Sequence, residues 1–176
     1  TDEQAVTYAL ALLVAGNETT RHLLSGSVAA LFEHPRQRAA LAQDSSLIPN
    51  AVEECLRWVT PIQAFGRTAT RNTELAGEAI GEGDFVVLLY ASANRDEAVF
   101  GPTANSFDVH RTFEAPHMAF GFGEHLCLGA ALARLEAKVV LEELLARHPA
   151  YRVTGPPVWT RSTLVRGMQS LPAALH

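Results

Sequence analysis

The stretch around Cys127, residues 120–129 (FGFGEHLCLG), constrains the fold of this chain more than any other feature. It runs into a segment whose apolar pattern predicts a helix from Leu128 to about Arg147. A helix N-terminus stabilises a thiolate through its unpaired N–H groups and its dipole. The glycines at 121, 123 and 129 leave room for a flat group to approach the backbone. The stretch therefore predicts a metal-ligating thiolate, against the simpler alternative of a buried structural thiol.

The order Phe-x-x-Gly-x-His-x-Cys-x-Gly in this loop resembles the cysteine loop of the cytochrome P450 family. Three further motifs follow in the chain order of that family, so the resemblance covers almost the whole sequence. It implies that Cys127 ligates the iron of haem b, and such a thiolate favours O–O bond cleavage. The cofactor-binding residues that it implies in this loop are Phe120, Gly121, Gly123, His125, Cys127 and Gly129, with Cys127 as the metal ligand.

A second motif, residues 15–20 (AGNETT), lies in a segment from about 4 to 32 whose apolar spacing predicts a helix. Thr19 and Thr20 can hydrogen-bond back to a carbonyl and loosen the helix there. Taken alone, an acid before two threonines is typical of a polar helix face. The segment resembles the family's distal helix, and the resemblance implies two catalytic residues. Thr19 would hydrogen-bond dioxygen or a water, and Glu18 would help to deliver protons.

A third motif, Glu54-x-x-Arg57, places a carboxylate and a guanidinium on one face of a predicted helix that ends before Pro61. Such a pair at a surface is worth only a few tenths of a kcal/mol. By resemblance it is the family's buried structural pair. Ser106 stands where the family commonly has an arginine that completes the network, and either Arg111 or His110 is a candidate substitute.

The fourth stretch combines Arg67 with glycine turns and the apolar run 85–90, which predicts a small sheet. An arginine fork suits the carboxylates of haem propionates. Arg67 and His125 match the family's propionate partners, whereas without the neighbouring pattern Arg67 would be an ordinary exposed strand residue.

Short apolar segments correspond to places that line the substrate pocket in the family. The predicted pocket residues are Val14, Ala15, Ile62, Leu164 and Val165. An apolar pocket above an oxidant suits hydroxylation or epoxidation of a hydrophobic small molecule, although each of these side chains equally fits a protein core.

The expected fold is mainly α with a small β component. It is the C-terminal part of a cytochrome P450-like fold, running from the distal oxygen helix through the cysteine loop, the proximal helix and the terminal hairpin. Residues 1–176 are expected to form the C-terminal haem-binding part of a single domain, with the N-terminal half absent. Leu128, Leu132, Leu135 and Val139 are predicted to form the apolar face of the proximal helix.

The expected function is that of a haem-thiolate monooxygenase. It would take electrons from reduced nicotinamide through a ferredoxin or flavodoxin-type partner and insert one oxygen atom into a hydrophobic substrate. A peroxide-driven peroxygenase is the nearer alternative, which the acid–alcohol pair disfavours. The other alternative is a non-catalytic, partly folded or self-associating fragment of such an enzyme.

Composition narrows the remaining classes of function and the cellular location. The chain is 48% hydrophobic with a net charge of −5, which gives no support to nucleic-acid binding. It has only Cys55 and Cys127, so at most one disulfide is possible, and Cys55 is better explained as a small helix residue. The expected location is the cytoplasm.

Overall fold

The computed structural model describes residues 1–175 as an assembly of helices with small antiparallel strand pairs. The helices are α1 (Asp2–Glu33), α2 (Pro35–Gln43), α3 (Ile48–Val59), α4 (Tyr90–Ala93), α5 (Glu97–Phe100) and α6 (Ala130–Arg147). Short 3₁₀ turns lie at Ser45–Leu47, Met118–Phe120 and Gly123–His125. The strands are β1 (Phe65–Thr68), β2 (Thr73–Leu75), β3 (Glu78–Ile80), β4 (Phe85–Leu88), β5 (Arg152–Val153), β6 (Val158–Trp159), β7 (Met168–Ser170) and β8 (Ala173–Ala174).

The strands pair as β1–β4, β2–β3, β5–β8 and β6–β7, each pair antiparallel and two-stranded. The β2–β3 hairpin turns at Ala76 and Gly77, which both have positive φ, at 53° and 87°. Positive φ at both central residues matches the right-handed twist of a tight hairpin. The prediction of a mainly helical fold with a small β component is confirmed.

Helix α1 packs through its C-terminal half only. Its first turn is fixed by a capping box between Thr1 and Gln4. The apolar side chains of its first half, Val6, Leu10, Leu13 and Val14, are 58–68% exposed. From Thr20 onwards the helix presents buried residues, Leu23, Ala30 and Leu31 among them, to the core. The helix is therefore anchored at one end, and the segment with Glu18 and Thr19 lies where burial begins.

The core lies between the second half of α1, α2, α3 and α6. Its fully buried aliphatic side chains include Leu23, Leu31, Leu41, Ile48, Val52 and Leu141. Tyr151, just after α6, closes one end, because its hydroxyl donates to the Val28 carbonyl at 2.7 Å and its own carbonyl accepts from Arg38 at 2.8 Å. The cysteine loop and the short strands are attached around this helical core.

Helix α6 buries a different face from the predicted one. Leu128 and Leu132 are 79% and 60% exposed, and Leu135 and Val139 are 54% and 46% exposed. The buried positions are instead Ala137, Leu141 and Leu145, and the helix begins at Ala130, two residues later than expected. Both sets recur every three or four residues, so the helix is apolar on two sides and periodicity alone does not select one.

Along residues 1–175 we find no helix that combines the length and the apolar character needed to cross a bilayer.

Candidate functional site

The cysteine loop is shaped by two glycines with left-handed backbone. Gly121 has φ of 71° and Gly123 has φ of 76°, conformations that residues with a Cβ rarely adopt. The Cys127 N–H donates to the Phe120 carbonyl at 3.0 Å, and the Leu126 N–H donates to the Gly123 carbonyl at 3.0 Å. These bonds close the loop on itself and fix the cysteine backbone shortly before α6 begins.

Cys127 is the cysteine that can reach a ligand. Its residue is exposed and its thiol is free, whereas Cys55 is buried in the core. Burial raises the pKa of the Cys55 thiol to about 12, which keeps it protonated and inert. Around Cys127 the loop exposes Phe122 (74%), Leu126 (58%) and Leu128 (79%). The thiol thus projects from a surface whose neighbours are apolar.

The donor set at this loop fits haem rather than a metal ion held by protein alone. Within residues 1–175 no group of three or more His, Cys, Asp and Glu side chains is arranged to hold a metal ion. A metal at Cys127 would therefore complete its coordination with a prosthetic group. A Cβ added at Gly123 would meet no atom within 4 Å, so the backbone is open to such a group on that side. A single thiolate among exposed apolar side chains is a set that can bind haem b.

The two predicted propionate partners carry unpaired donor capacity. Arg67 on β1 donates from Nη1 to the Gly66 carbonyl at 2.9 Å, and no carboxylate within the described part of the chain pairs with it. The His125 side chain is 69% exposed, and its Nε2 lies 3.7 Å from a Glu124 carboxylate oxygen. Both side chains are free to turn toward a propionate, but no contact in the structure joins them to each other.

Tyr90 connects β1 to the cysteine loop. Its ring lies 6.0 Å from the Phe65 ring, and its hydroxyl oxygen would lie 3.4 Å from a Cβ placed on Gly121. The strand that carries Arg67 is therefore held near the loop that carries Cys127.

Asn94 anchors the segment that enters the loop, and no motif around it in the sequence indicates this role. Its side chain is fully buried, accepts from the Met118 N–H at 2.6 Å and donates to the Thr60 hydroxyl at 2.8 Å. Thr60 ends α3 with φ of 44°, a left-handed conformation that the Asn94 contact helps to hold. One amide thus fixes the end of α3 to the start of the cysteine loop.

Glu54 and Arg57 form a fully buried bidentate pair. Arg57 Nε and Nη2 each donate to a Glu54 carboxylate oxygen at 2.7 Å. Arg111 Nε donates to the same carboxylate at 3.0 Å, so Arg111 occupies the third place that the sequence left open. His110 is exposed and makes no contact with Glu54, and its backbone N–H bonds the Asp108 side chain instead. Ser106 contributes only its carbonyl, which accepts from both arginines at 2.9 Å.

A second cluster around Glu53 joins α3, α6 and the segment before the cysteine loop. Arg134 donates to both Glu53 oxygens, at 2.6 and 2.9 Å, and His117 Nε2 lies 3.2 Å from one of them. Burial would raise the pKa of Glu53, but the hydrogen bonds of His117 and Arg134 outweigh it and lower this pKa to about 2. The Arg134 guanidinium also lies 4.6 Å from the centre of the Phe120 ring. Sequence reasoning missed this cluster, because nothing in the adjacent acids distinguishes Glu53 from Glu54.

Glu18 and Thr19 make all their side-chain hydrogen bonds within α1. The Thr19 hydroxyl donates to the Ala15 carbonyl at 2.8 Å, as expected for a threonine that bonds back along a helix. Glu18 accepts from Arg21 Nη2 at 2.7 Å and lies 3.2 Å from His22 Nε2. Neither residue is hydrogen-bonded to the cysteine loop, so their predicted catalytic roles stay predictions.

The predicted pocket residues fall into two groups. An isolated β-bridge pairs Ile62 with Val165, and the Gln63 N–H donates to the Leu164 carbonyl at 2.8 Å, so these segments lie side by side. Val14 and Ala15 are exposed on α1. None of the five predicted residues lines the cavity of about 290 Å³ between the second half of α1, the end of α3 and the terminal strands.

An exposed thiol on a glycine-shaped loop, set before a long helix in a mainly helical fold, is typical of a haem-thiolate protein. The family model for cytochrome P450 matches residues 1–154, and the chain belongs to that family. The predicted family and fold are confirmed. Membership identifies haem b as the cofactor that this site takes.

Relatives and solved structures match nearly the whole chain. Cytochrome P450-terp of a Pseudomonas species is 40% identical over 171 residues, which are 97% of this chain and 40% of that protein. A steroid C26-monooxygenase of Mycolicibacterium smegmatis is 42% identical and covers 97% of this chain and 43% of its own length. The crystal structure of CYP109E1 from Bacillus megaterium in complex with testosterone superposes with a TM-score of 0.94 at 38% identity. It matches 100% of this chain and 49% of the other. The chain thus spans less than half the length of these proteins.

Proposed function

We propose that the protein to which this chain belongs is a haem-thiolate monooxygenase that inserts one oxygen atom into a hydrophobic small molecule. The observation that carries the proposal is the exposed Cys127 thiol on a loop shaped by Gly121 and Gly123, in a member of the cytochrome P450 family. When bound, thiolate-ligated haem supplies oxygen activation by reductive O–O bond cleavage. The chain supplies the thiolate, the anchors and the proton-carrying groups around it.

Residues of the chain would hold the haem from several sides. The Cys127 thiolate would bind iron, and the open backbone at Gly123 would let the macrocycle approach. Phe120 supports the loop from inside, because its carbonyl accepts from the Cys127 N–H. Arg67 and His125 would neutralise the propionates, a role supported by the unpaired donors of Arg67 and the exposure of His125.

Glu18 and Thr19 would move protons on the other side of the haem. Thr19 has a hydroxyl held near the helix by the Ala15 carbonyl, and its oxygen can still accept one hydrogen bond. Glu18 is half exposed and its carboxyl group is oriented by Arg21 and His22, which holds it in place to exchange a proton. This pair favours reductive activation over peroxide-driven turnover, because peroxide arrives with its own protons.

The proposed substrate is apolar. The proposal is supported by the bridge between Ile62 and Val165, which lies beside Leu164, and by the exposure of Val14 and Ala15 on α1. Two relatives are a steroid C26-monooxygenase and an enzyme crystallised with testosterone, which supports a hydrophobic substrate class for this protein. Electrons would come from reduced nicotinamide through a ferredoxin or flavodoxin-type donor, and the site of action would be the cytoplasm.

A second candidate for the 176-residue chain is a self-associating piece without activity. The exposed apolar residues of α1 and α6 favour it, because a large apolar surface drives association. Light scattering across a concentration series would test it, and a mass that stays monomeric would contradict it.

The first experiment asks whether the chain binds haem through Cys127. The purified chain is mixed with haemin, reduced with dithionite and exposed to carbon monoxide, and the absorption spectrum is recorded. A strongly red-shifted Soret band in the wild type and in Cys55→Ala, absent in Cys127→Ser, is the expected result. The same band in Cys127→Ser would refute thiolate ligation by Cys127.

Activity is tested next with the haem-loaded protein, a ferredoxin, its reductase and reduced nicotinamide, on a panel of steroids and terpenes. Oxygenated product from this mixture is expected. Product formed only with added peroxide would replace the proposed reaction by that of a peroxygenase.

A further inference from the structure

His22 is a buried titratable side chain with one nitrogen unsatisfied. Its residue is 1% exposed, and its Nε2 lies 3.2 Å from Glu18 Oε2. Its Nδ1 has no hydrogen-bond partner among residues 1–175. Because Nε2 faces a carboxylate, it carries the hydrogen, and Nδ1 is then a bare acceptor. A buried polar atom without a partner is rare in folded proteins and points to an unseen water or to a functional role.

His22 lines one end of the cavity of about 290 Å³, which is large enough for several water molecules. The cavity runs along one face of α1. Only Glu33, on α1, and Arg166, on the terminal segment, are charged members of this lining. Helix α3 contributes Trp58 and Val59 to the lining, and both side chains are uncharged.

Two donors hold the Glu18 carboxylate, and only one of them can exchange a proton with it. Arg21 Nη2 donates to Oε1 at 2.7 Å, and His22 Nε2 contacts Oε2 at 3.2 Å. A guanidinium keeps its proton under all physiological conditions. Imidazole is the side chain that ordinarily changes charge near neutral pH. Of the two, His22 is therefore the proton carrier.

The terminal segment fixes the His22 ring in place. A Cβ on Gly167 would overlap the ring at Cγ and Nδ1, so only glycine allows the segment to pass here. Arg166, the preceding residue, lines the same cavity. The ring is thus held between Glu18 and the cavity.

We propose that His22 transfers protons between water in this cavity and Glu18, which rests on the proposed function of Glu18 in oxygen activation. In each transfer a cavity water gives a proton to Nδ1, and the Nε2–H bond breaks as an O–H bond forms on the Glu18 carboxylate. The hydroxide left in the cavity is neutralised by a proton from bulk water. When Glu18 has passed its proton on, the bare Nε2 faces a carboxylate again. The starting tautomer is restored when Nε2 takes a proton from solvent at the half-exposed Glu18 and Nδ1 returns its proton to the cavity water.

The proton link is tested without turnover by nuclear magnetic resonance on the ¹⁵N-histidine, ¹³C-glutamate chain. Ring nitrogen shifts are expected to show the Nε2–H tautomer for His22. The carboxyl carbon signal of Glu18 is expected to respond to protonation of the His22 ring, because His22 Nε2 lies 3.2 Å from Glu18 Oε2. This response of the Glu18 carbon signal should vanish in His22→Asn. An Nδ1–H tautomer in the wild type, or a Glu18 signal indifferent to His22, would overturn the proposal.

The second arm uses the haem-loaded protein and measures product formed per reduced nicotinamide consumed. His22→Asn removes the imidazole that would carry the proton to Glu18, so this ratio should fall about tenfold. Substrate affinity should stay unchanged, and the solvent deuterium isotope effect should rise. His34→Asn is the matched control. His34 caps the C-terminal end of α1, where its ring contacts the Ala30 carbonyl, and it is remote from Glu18. It should retain the wild-type ratio.

The outcomes separate the two proposals. Wild-type coupling in His22→Asn would overturn the role of His22 and leave the monooxygenase proposal intact. A wild-type protein that makes no product would refute the proposed function, and the resonance experiment would still decide the proton link. Gly167→Ala gives a second variant, because it displaces the ring while keeping the imidazole, and the same loss of coupling is expected.

Discussion

Arg57→Ala should cost more stability than any other single truncation in this chain. Arg57 is fully buried and donates five hydrogen bonds, two to Glu54 and one each to the carbonyls of Asn94, Ala104 and Ser106. Truncation leaves the buried Glu54 carboxylate with Arg111 as its remaining cation. Breaking a buried ion pair from one side costs about 3–5 kcal/mol. Because small domains are stable by about 5–15 kcal/mol, the variant would lose a large fraction of its folding free energy.

The assay is urea unfolding followed by circular dichroism, with the free energy of unfolding compared between variant and wild type. Arg147→Ala is the matched control, because Arg147 pairs with Glu143 at 2.6 Å on the surface, where the two side chains are 72% and 57% exposed. That exposed pair is worth about 0–1 kcal/mol. Arg57→Lys should fall between the two, since lysine keeps the charge but not the planar fork. A loss below about 1 kcal/mol in Arg57→Ala would refute the reasoning, because it matches the loss for a surface pair.

Three further predictions concern other parts of the chain. The pKa of Glu53 is lowered from 4.5 to about 2, so its ionised form stabilises the fold above pH 4.5 and this stabilisation is lost as pH falls toward 2. Glu53→Gln should therefore flatten the acid side of the stability–pH curve, and an unchanged curve would contradict this. Gly26→Ala should destabilise the fold by about 1–3 kcal/mol in urea titrations, because its Cβ would lie 2.7 Å from both γ carbons of Val59. A neutral effect would show that Val59 repacks freely. In the haem-loaded protein, Thr19→Ala should lower product per electron pair while Thr19→Ser retains it, and equal coupling in both would exclude a role for the hydroxyl.

The sequence predicts most of the structural features that depend on residues close together in the chain. The loop around Cys127 was predicted from its glycine spacing, and the structure shows positive φ at Gly121 and Gly123. The distal helix was predicted from 4 to 32 and is observed from Asp2 to Glu33. The mutual spacing of Glu54 and Arg57 predicted one face of α3, and both side chains lie there fully buried. In each case the determinants lie within a few residues of one another in sequence.

Contacts between residues that are far apart in the chain could not be predicted from the sequence. Arg111 and His110 are adjacent basic residues, and only the path of the chain after α5 decides that Arg111 reaches Glu54. Asn94 acts on Met118 and Thr60, which are 24 and 34 residues away. The buried face of α6 was predicted wrongly, because two apolar stripes compete and the packing of α1 and α3 selects the stripe with Leu141.

The two buried arginines also determine where this protein can vary. Between Asn94 and Arg111 most of the chain is irregular, yet five of its carbonyl oxygens converge on two guanidinium groups. Those of Asn94 and Ala104 bind Arg57, those of Phe100 and Thr103 bind Arg111, and that of Ser106 binds both. A carbonyl is common to all amino acids, so substitutions at these positions preserve the contacts, whereas one inserted or deleted residue would move every later oxygen out of reach. We therefore expect the exposed positions of this segment to vary among homologues, while Asn94, Arg111 and the length of the segment stay constant.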